Sequence, residues 1–346
     1  MEQNKRFFRL CGSVAAFMLL LWLNATGYLT PVTRFLTGPG AAAVFFFLET
    51  GHTLRPVPAP AQTVPPETES TQPTRSPETT PPETTLSTQP PDTGPPAVAV
   101  FSPGDAALVE VNNYCGYDPQ VESWLANPLS WDLTGDAPTV LILHSHGSES
   151  YENTENYTAS SPYRCLDANY NMISVGDALV QLLEVRGIQA LHDRQLHDYP
   201  SYSDAYENAR SSIRQQLDTH PSIRLILDLH RDSVADSRGK QIGYTVETPT
   251  GKAAQLMLVV GTDAGGLSHT KWPENMSLAV KFHAQLEKQQ PGICRPISFR
   301  TQRFNQDLLT GALLIEVGSA GNTRQEALAA AEILANAIAA LSKGTG

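Results

Sequence analysis

The run Leu141-Ile-Leu-His-Ser-His-Gly-Ser-Glu-Ser-Tyr151 places His146 three residues before Glu149. Residues three apart share a face once the chain turns helically, so this imidazole and this carboxylate can converge on one ion. Two later segments offer the remaining groups of a hydrolytic centre. One is Asp228-Leu-His230-Arg-Asp232 and the other Leu313-Leu-Ile-Glu316-Val-Gly-Ser319. Imidazole nitrogen and carboxylate oxygen are borderline donors suited to Zn2+, and a catalytic zinc keeps three protein ligands with one position left for water. A separate carboxylate can then take the proton of the attacking water. Glu316, at the end of a very apolar run, is costly to bury without a partner or a task. The task assigned to it is general base, then proton donor to the leaving amine.

Neighbouring residues have supporting roles open to them. His144 shares a strand face with His146. It can be a ligand, a hydrogen-bond partner behind a ligand, or a satisfied buried histidine, and the second role is favoured. Asp228 stands two residues before His230 and can orient its imidazole. Arg231 can bind a substrate carboxylate, steady the oxyanion, or form a surface ion pair with Asp232. Ser150 can hold Glu149 or substrate, or simply start a helix. Tyr199 and Tyr202, in the run Asp193–Tyr202, either line a substrate groove or belong to an ordinary surface loop.

These groups need strands to deliver them. Apolar runs at Thr139–Leu143, Ile188–Leu191, Ile223–Leu229, Gln255–Val260 and Ala312–Val317 read as strands. Helical patterns lie between and after them at Met172–Arg186, Tyr206–Leu217, Pro273–Gln289 and Arg324–Leu341. This alternation predicts an α/β fold with a mainly parallel central sheet and helices on both faces. Gln241–Glu247 and Gln255–Val260, joined across Pro249-Thr-Gly251, are candidates for an edge hairpin. His146, His230 and Glu316 fall at or just after strand C-termini, where such folds bind ligands.

The rest of the chain divides by composition. Residues 1–30 carry Lys5, Arg6 and Arg9 before the apolar run Val14–Leu23, a pattern for a cytoplasmic tip and membrane anchor. A cleaved signal peptide is the rival reading, and both put the remainder outside the cytoplasm. Residues 31–56 form a membrane-proximal segment whose apolar stretch Ala41–Leu48 is too short to span a bilayer. Residues 57–97 are rich in Pro, Thr, Ser, Glu and Gln, a linker that cannot bury enough surface to order itself. At ~3.1 Å per residue its reach is on the order of 100 Å. Residues 98–346 have the composition and length of one α/β domain. A net charge of -11 argues against a sequence-independent grip on nucleic acid. Cys115, Cys165 and Cys294 are odd in number and far apart, so they form no disulfide framework, leaving one bridge or three buried thiols.

Six motifs in order carry a family resemblance: His144–Tyr151, His197–Tyr202, Asp228–Asp232, Val260–Leu267, Arg303–Gln306 and Ile315–Ser319. Over roughly Thr139 to Leu341 the chain resembles the stage II sporulation protein P family, membrane-anchored peptidoglycan hydrolases related to zinc-dependent N-acetylmuramoyl-L-alanine amidases. The resemblance implies zinc on His146, Glu149 and His230, with Glu316 as the catalytic carboxylate. It implies cleavage of the amide between the muramic acid lactyl group and L-alanine, with endopeptidase action on crosslinked stem peptides. It also implies a setting in septal wall thinning and forespore engulfment, alongside stage II sporulation proteins D and M. Two other readings share the residues: a zinc carboxypeptidase-like wall enzyme, and a non-catalytic peptidoglycan-binding scaffold.

Overall fold

The computed structural model describes residues 99–152, 157–159 and 163–345. The expected anchor, membrane-proximal segment and linker lie outside them. Among the described residues no helix is long and apolar enough to cross a membrane.

Short apolar runs become strands because β-branched and leucine side chains on a pleated backbone can be buried on both faces at once. They give β1 (Val111–Asn113), β2 (Val140–Leu143), β3 (Ala190–His192), β4 (Leu225–Asp232), β5 (Thr245–Thr248), β6 (Gly251–Ala254), β7 (Leu256–Val260), β8 (Ile297–Phe299) and β9 (Ala312–Ser319). The helices are α1 (Val121–Ala126), α2 (Met172–Glu184), α3 (Ala205–Thr219), α4 (Trp272–Gln289) and α5 (Arg324–Leu341). The start of α2 is fixed by Asn171, whose side chain accepts the N–H of Ile173. That of α5 is fixed by Thr323 and Glu326, which cap each other's backbone N–H groups.

Seven strands form one sheet in the order β1-β8-β7-β9-β4-β2-β3. All neighbours are parallel except β7 and β9, which run antiparallel. The mainly parallel α/β architecture expected from the alternating pattern is therefore the one observed, and helices cover both faces unequally. Leu225, Leu227, Leu229, Leu313, Ile315, Val317, Leu258 and Phe299 point into the larger core, which holds α2, α4 and α5. Leu141, Leu143, Ile226 and Ala312 point the other way, against Ala209 and Ile213 of α3.

Two expectations need correction. The hairpin exists but pairs β5 with β6, while the following run, β7, enters the central sheet beside β9. Leu256, Leu258 and Val260 are too apolar to serve a two-stranded ribbon and are buried in the sheet. Strands β4 and β9 also run on past the sequence-based ends, so His230 and Glu316 lie inside strands, as direct register partners. The three cysteines are free and partly buried, with no bridge between them.

One buried charge in this frame makes a testable contribution to stability. Lys281 of α4 is 1% exposed, and its Nζ donates to the Trp124 carbonyl at 2.7 Å and to Ser277 Oγ at 3.1 Å. Burial pushes its pKa down to about 8. Below that pH the folded protein must hold a buried ammonium. Between pH 8 and the unfolded value near ~10.4 the unfolded chain binds more protons, so stability rises with pH across that window. Lys281→Met leaves the Trp124 carbonyl its bond from Ser277. The variant is expected to be more stable at pH 7 by on the order of 1–3 kcal/mol and to lose the rise. Denaturant midpoints at pH 7 and pH 10 check both.

Candidate active site

The chain leaves β2 through a tight turn in which residues 141–150 are all buried. Two carboxylates clamp that turn. Asp228 accepts the backbone N–H of Ser145 at 2.7 Å and its hydroxyl at 2.5 Å. Asp198 accepts the hydroxyl of Ser148 at 2.5 Å and is paired with Arg164. The backbone N–H of Glu149 closes on the His146 carbonyl at 3.1 Å, bringing the two side chains to one side.

His146 then faces His230, with ring centroids 5.3 Å apart and nearly perpendicular. Its outer face stacks on Tyr202 at 4.3 Å, and Tyr206 of α3 meets it edge-on at 5.4 Å. The guanidinium of Arg164 lies over the Tyr202 ring at 4.3 Å. Burial drives the His146 pKa down to about 3, so the ring is neutral, the form a metal ligand needs. His230 behaves oppositely: burial opposes its charge, but Asp228 and Glu149 outweigh burial and raise it well above the usual histidine range. Its Nδ1 stands 3.6 Å from Glu149 Oε2, and its Nε2 stands 3.0 Å from Asp228 Oδ1, off the line of a hydrogen bond. Burial likewise works against ionised Glu149, yet Arg231 and His230 hold its carboxyl well below the usual range.

Glu316 occupies the centre of β9 beside His230. Its Oε2 is buried without a hydrogen-bond partner, although the residue as a whole keeps some contact with solvent. Burial and then the Asp232 charge push its pKa up to about 8, with His230 pulling the other way. A carboxyl poised near neutrality suits a group that must both take and return a proton.

The structure thus places His146, Glu149 and Glu316 each beside His230. The donor types, two imidazoles and a carboxylate, suit a zinc ion, and Nδ1 of His146 is buried without a partner. Among the described residues no three His, Cys, Asp or Glu side chains stand at ligand spacing. As placed, Glu149 Oε2 accepts the backbone N–H of Arg231 at 3.1 Å.

Other expectations fare differently. Arg231 is 4% exposed and so is not a surface group, and Asp232 is held by Arg295 at 2.8 Å. The Arg231 guanidinium reaches Glu149 Oε1 at 3.4 Å and donates to the carbonyls of Ser150 at 2.9 Å and Tyr163 at 2.7 Å. It is a positioning residue for Glu149 and the loop beyond it, because the parallel pairing of β2 and β4 puts it directly behind that loop. The Ser150 hydroxyl accepts from Tyr157 rather than holding Glu149. Tyr202 lies against the site, while Tyr199 is 58% exposed.

His144 is not among the converging side chains. Its Nδ1 bonds the Leu229 carbonyl and its Nε2 bonds His192 Nε2, both at 2.9 Å. His192 Nδ1 in turn meets Asp177 at 2.9 Å. His144 therefore braces the residue before His230 and touches no proposed ligand through its ring nitrogens. Gly176 of α2 leaves room for the two rings. A methyl group there would overlap His192 Nε2 and stand 2.7 Å from His144 Nε2. Gly176→Ala is expected to cost about 1–3 kcal/mol, the range for overpacking. A denaturation midpoint equal to that of the wild type would contradict this packing.

Sequence reasoning missed Arg164, Tyr206 and the His192–Asp177 pair. Tyr206 had one signal, since it follows Tyr202 by four residues at the start of a helix. The others are joined to the site only by long-range folding.

A family model described as stage II sporulation protein P matches residues 59–339. The Bacillus subtilis (strain 168) stage II sporulation protein P is 27% identical over 257 residues, covering 71% of this chain. The chain spans 60% of the length of that curated relative. Among solved structures, the N-acetylmuramyl-L-alanine amidase Ami1 from Mycobacterium smegmatis is similar at 13% identity and a TM-score of 0.38, covering 60% of this chain and 97% of its own. The amidase AmiC2 of Nostoc punctiforme gives 15% identity and a TM-score of 0.34, covering 59% and 95%. Likenesses of that size carry no functional argument. The family model matches well over half of the chain, so this chain belongs to the stage II sporulation protein P family.

Proposed function

We propose that the protein is a zinc-dependent peptidoglycan hydrolase that cleaves the amide between the muramic acid lactyl group and L-alanine. The observation that carries this reading is the convergence of His146, Glu149 and His230 beside a buried, unpartnered carboxylate oxygen of Glu316. Family membership supports peptidoglycan as substrate and sporulation as setting. His146, Glu149 and His230 would hold the ion. Zinc, when bound, polarises the scissile carbonyl and lowers the pKa of the attacking water. Glu316 takes a proton from that water as its oxygen attacks the carbonyl carbon. It returns the proton to the amide nitrogen as the C–N bond breaks, leaving a carboxylate and an amine. Tyr202 and Tyr206 pack on His146 and shield it. Asp228 orients His230, and Arg231 keeps Glu149 ionised.

The basic and then apolar N-terminus supports a membrane-anchored enzyme whose domain faces the wall across the Pro-rich linker. Endopeptidase action on crosslinked peptides, and work alongside stage II sporulation proteins D and M during engulfment, extend the same reading.

Mass spectrometry of products from purified glycan–peptide fragments tests the reaction. Intact stem peptides with a free L-alanine amine are expected. Single terminal amino acids would indicate a carboxypeptidase-like enzyme instead, and unaltered fragments a binding scaffold.

A further inference from the structure

Two of the six motifs, Val260–Leu267 and Arg303–Gln306, supply no group to the reaction proposed above, yet they pack on each other. Gln306 is 2% exposed and ties the second motif to the end of β7. Its Oε1 accepts the Gly261 N–H and its Nε2 donates to the Val259 carbonyl, each at 2.8 Å. Asn275 of α4 donates to the Gln306 carbonyl at 2.9 Å. Only glycine fits at 261, where a methyl group would stand 2.1 Å from the Gln302 carbonyl oxygen. Within this anchored turn Phe304 and Asn305 both take positive φ, 48° and 58°. That region brings Cβ against the backbone carbonyl; asparagine enters it with some ease, but a bulky residue such as Phe is an outlier there. Such strain persists only where the surroundings over-determine the backbone, and it gathers at functional sites.

The strained turn presents two groups to the start of α3. The Phe304 ring centroid lies 6.0 Å from that of Tyr206, and Asn305 Nδ2 donates to the Tyr206 carbonyl at 2.8 Å. Asn305 Oδ1 accepts from Arg210, one turn further along α3, at 3.2 Å. Tyr206 in turn stands perpendicular to His146 at 5.4 Å and nearly parallel to His230 at 6.4 Å. It therefore links the turn to both imidazoles. Rotation of an imidazole about its last torsion is broad, whereas a ligand nitrogen must point at its ion to within about 10–20°. A ligating histidine ordinarily gains its orientation from a hydrogen bond at the other ring nitrogen. Asp228 stands beside His230, but Nδ1 of His146 is buried without a partner. Packing by Tyr202 and Tyr206 is left to fix the His146 ring.

We propose that Phe304 and Asn305 are positioning residues whose strained turn holds the Tyr206 ring against His146 and His230, and so sets the direction in which both imidazoles present their nitrogens. This rests on the zinc reading above. Asn305 holds the backbone of Tyr206 and Phe304 holds its ring, so the aromatic side chain cannot swing away from the histidines. The role belongs to the ring of Tyr206 and not to its hydroxyl, because the contacts with both imidazoles are ring contacts.

Zinc affinity of the full chain, measured by competition with a chelator, and the absorption spectrum of the Co2+-loaded protein test the assignment. Phe304→Gly and Asn305→Gly each relieve the strained backbone, so the turn keeps its course while one grip on Tyr206 is lost. These two variants and Tyr206→Ala are each expected to bind zinc about 10- to 100-fold more weakly and to show an altered cobalt spectrum. Tyr206→Phe keeps the ring and should match the wild type in both. Tyr206 is half-buried at the start of α3, so the Ala and Phe variants decide the matter even if the turn rejects glycine. Wild-type affinity and spectrum in all the weakened variants would overturn the assignment. So would a loss in Tyr206→Phe as large as in Tyr206→Ala, which would give the role to the hydroxyl. Thermal melts of the metal-free proteins complete the test, and zinc binding that merely follows a fall in melting temperature would also overturn it. Each of these results leaves the zinc reading standing, whereas a wild type that binds neither ion would overturn both.

Discussion

Glu316→Gln is expected to slow peptide release by about 10²–10⁴-fold, the range for losing one positioned acid–base group. The substitution keeps shape and volume but cannot accept the proton of water or hand one to the departing amine. It also removes a carboxyl that burial and Asp232 already disfavour as a charge. The variant should therefore be at least as stable as the wild type at neutral pH and should hold its metal equally well. Those two properties separate a chemical defect from a folding defect. Single-turnover rates, thermal melts and metal content measured on one preparation give the comparison, and retained hydrolysis would remove Glu316 from the mechanism.

Arg231→Met should act in the reverse sense, through stability and metal affinity before rate. It strips a buried carboxylate of its main cationic partner and leaves the carbonyls of Ser150 and Tyr163 without the guanidinium bonds they receive. Breaking a buried pair from one side costs about 3–5 kcal/mol. Arg231→Lys should recover only part of this, because an ammonium cannot span three acceptors in a planar fork. Urea denaturation of the metal-free proteins checks the ranking. Undiminished stability with a reduced kcat would instead place Arg231 on the oxyanion.

The contrast between these two residues shows how much of the molecule is legible in its sequence. Strands such as β2 and β9 announce themselves because burial on two faces demands an unbroken apolar run. His230 and Glu316, as polar groups set into such runs, stand out against them. Asp228 could be assigned to His230 because a period of two puts both on one side of β4. Strands β1 and β8 could not be read, since three residues such as Val111–Asn113 hold too little pattern to distinguish from a loop. The roles of Arg231, His144 and Arg164 were equally hidden. Each depends on which segment folds against it: Tyr163 for Arg231, His192 for His144, Asp198 for Arg164. Local spacing can place a side chain on a face, but what that face meets is decided by β-sheet order.

Metal analysis of residues 98–346 tests whether His146, Glu149 and His230 hold one zinc ion. About one zinc per chain is expected in the wild type and in His144→Ala, with loss of the metal in His146→Ala and His230→Ala. A protein that keeps its zinc without His146 but loses it without His144 would contradict the ligand set.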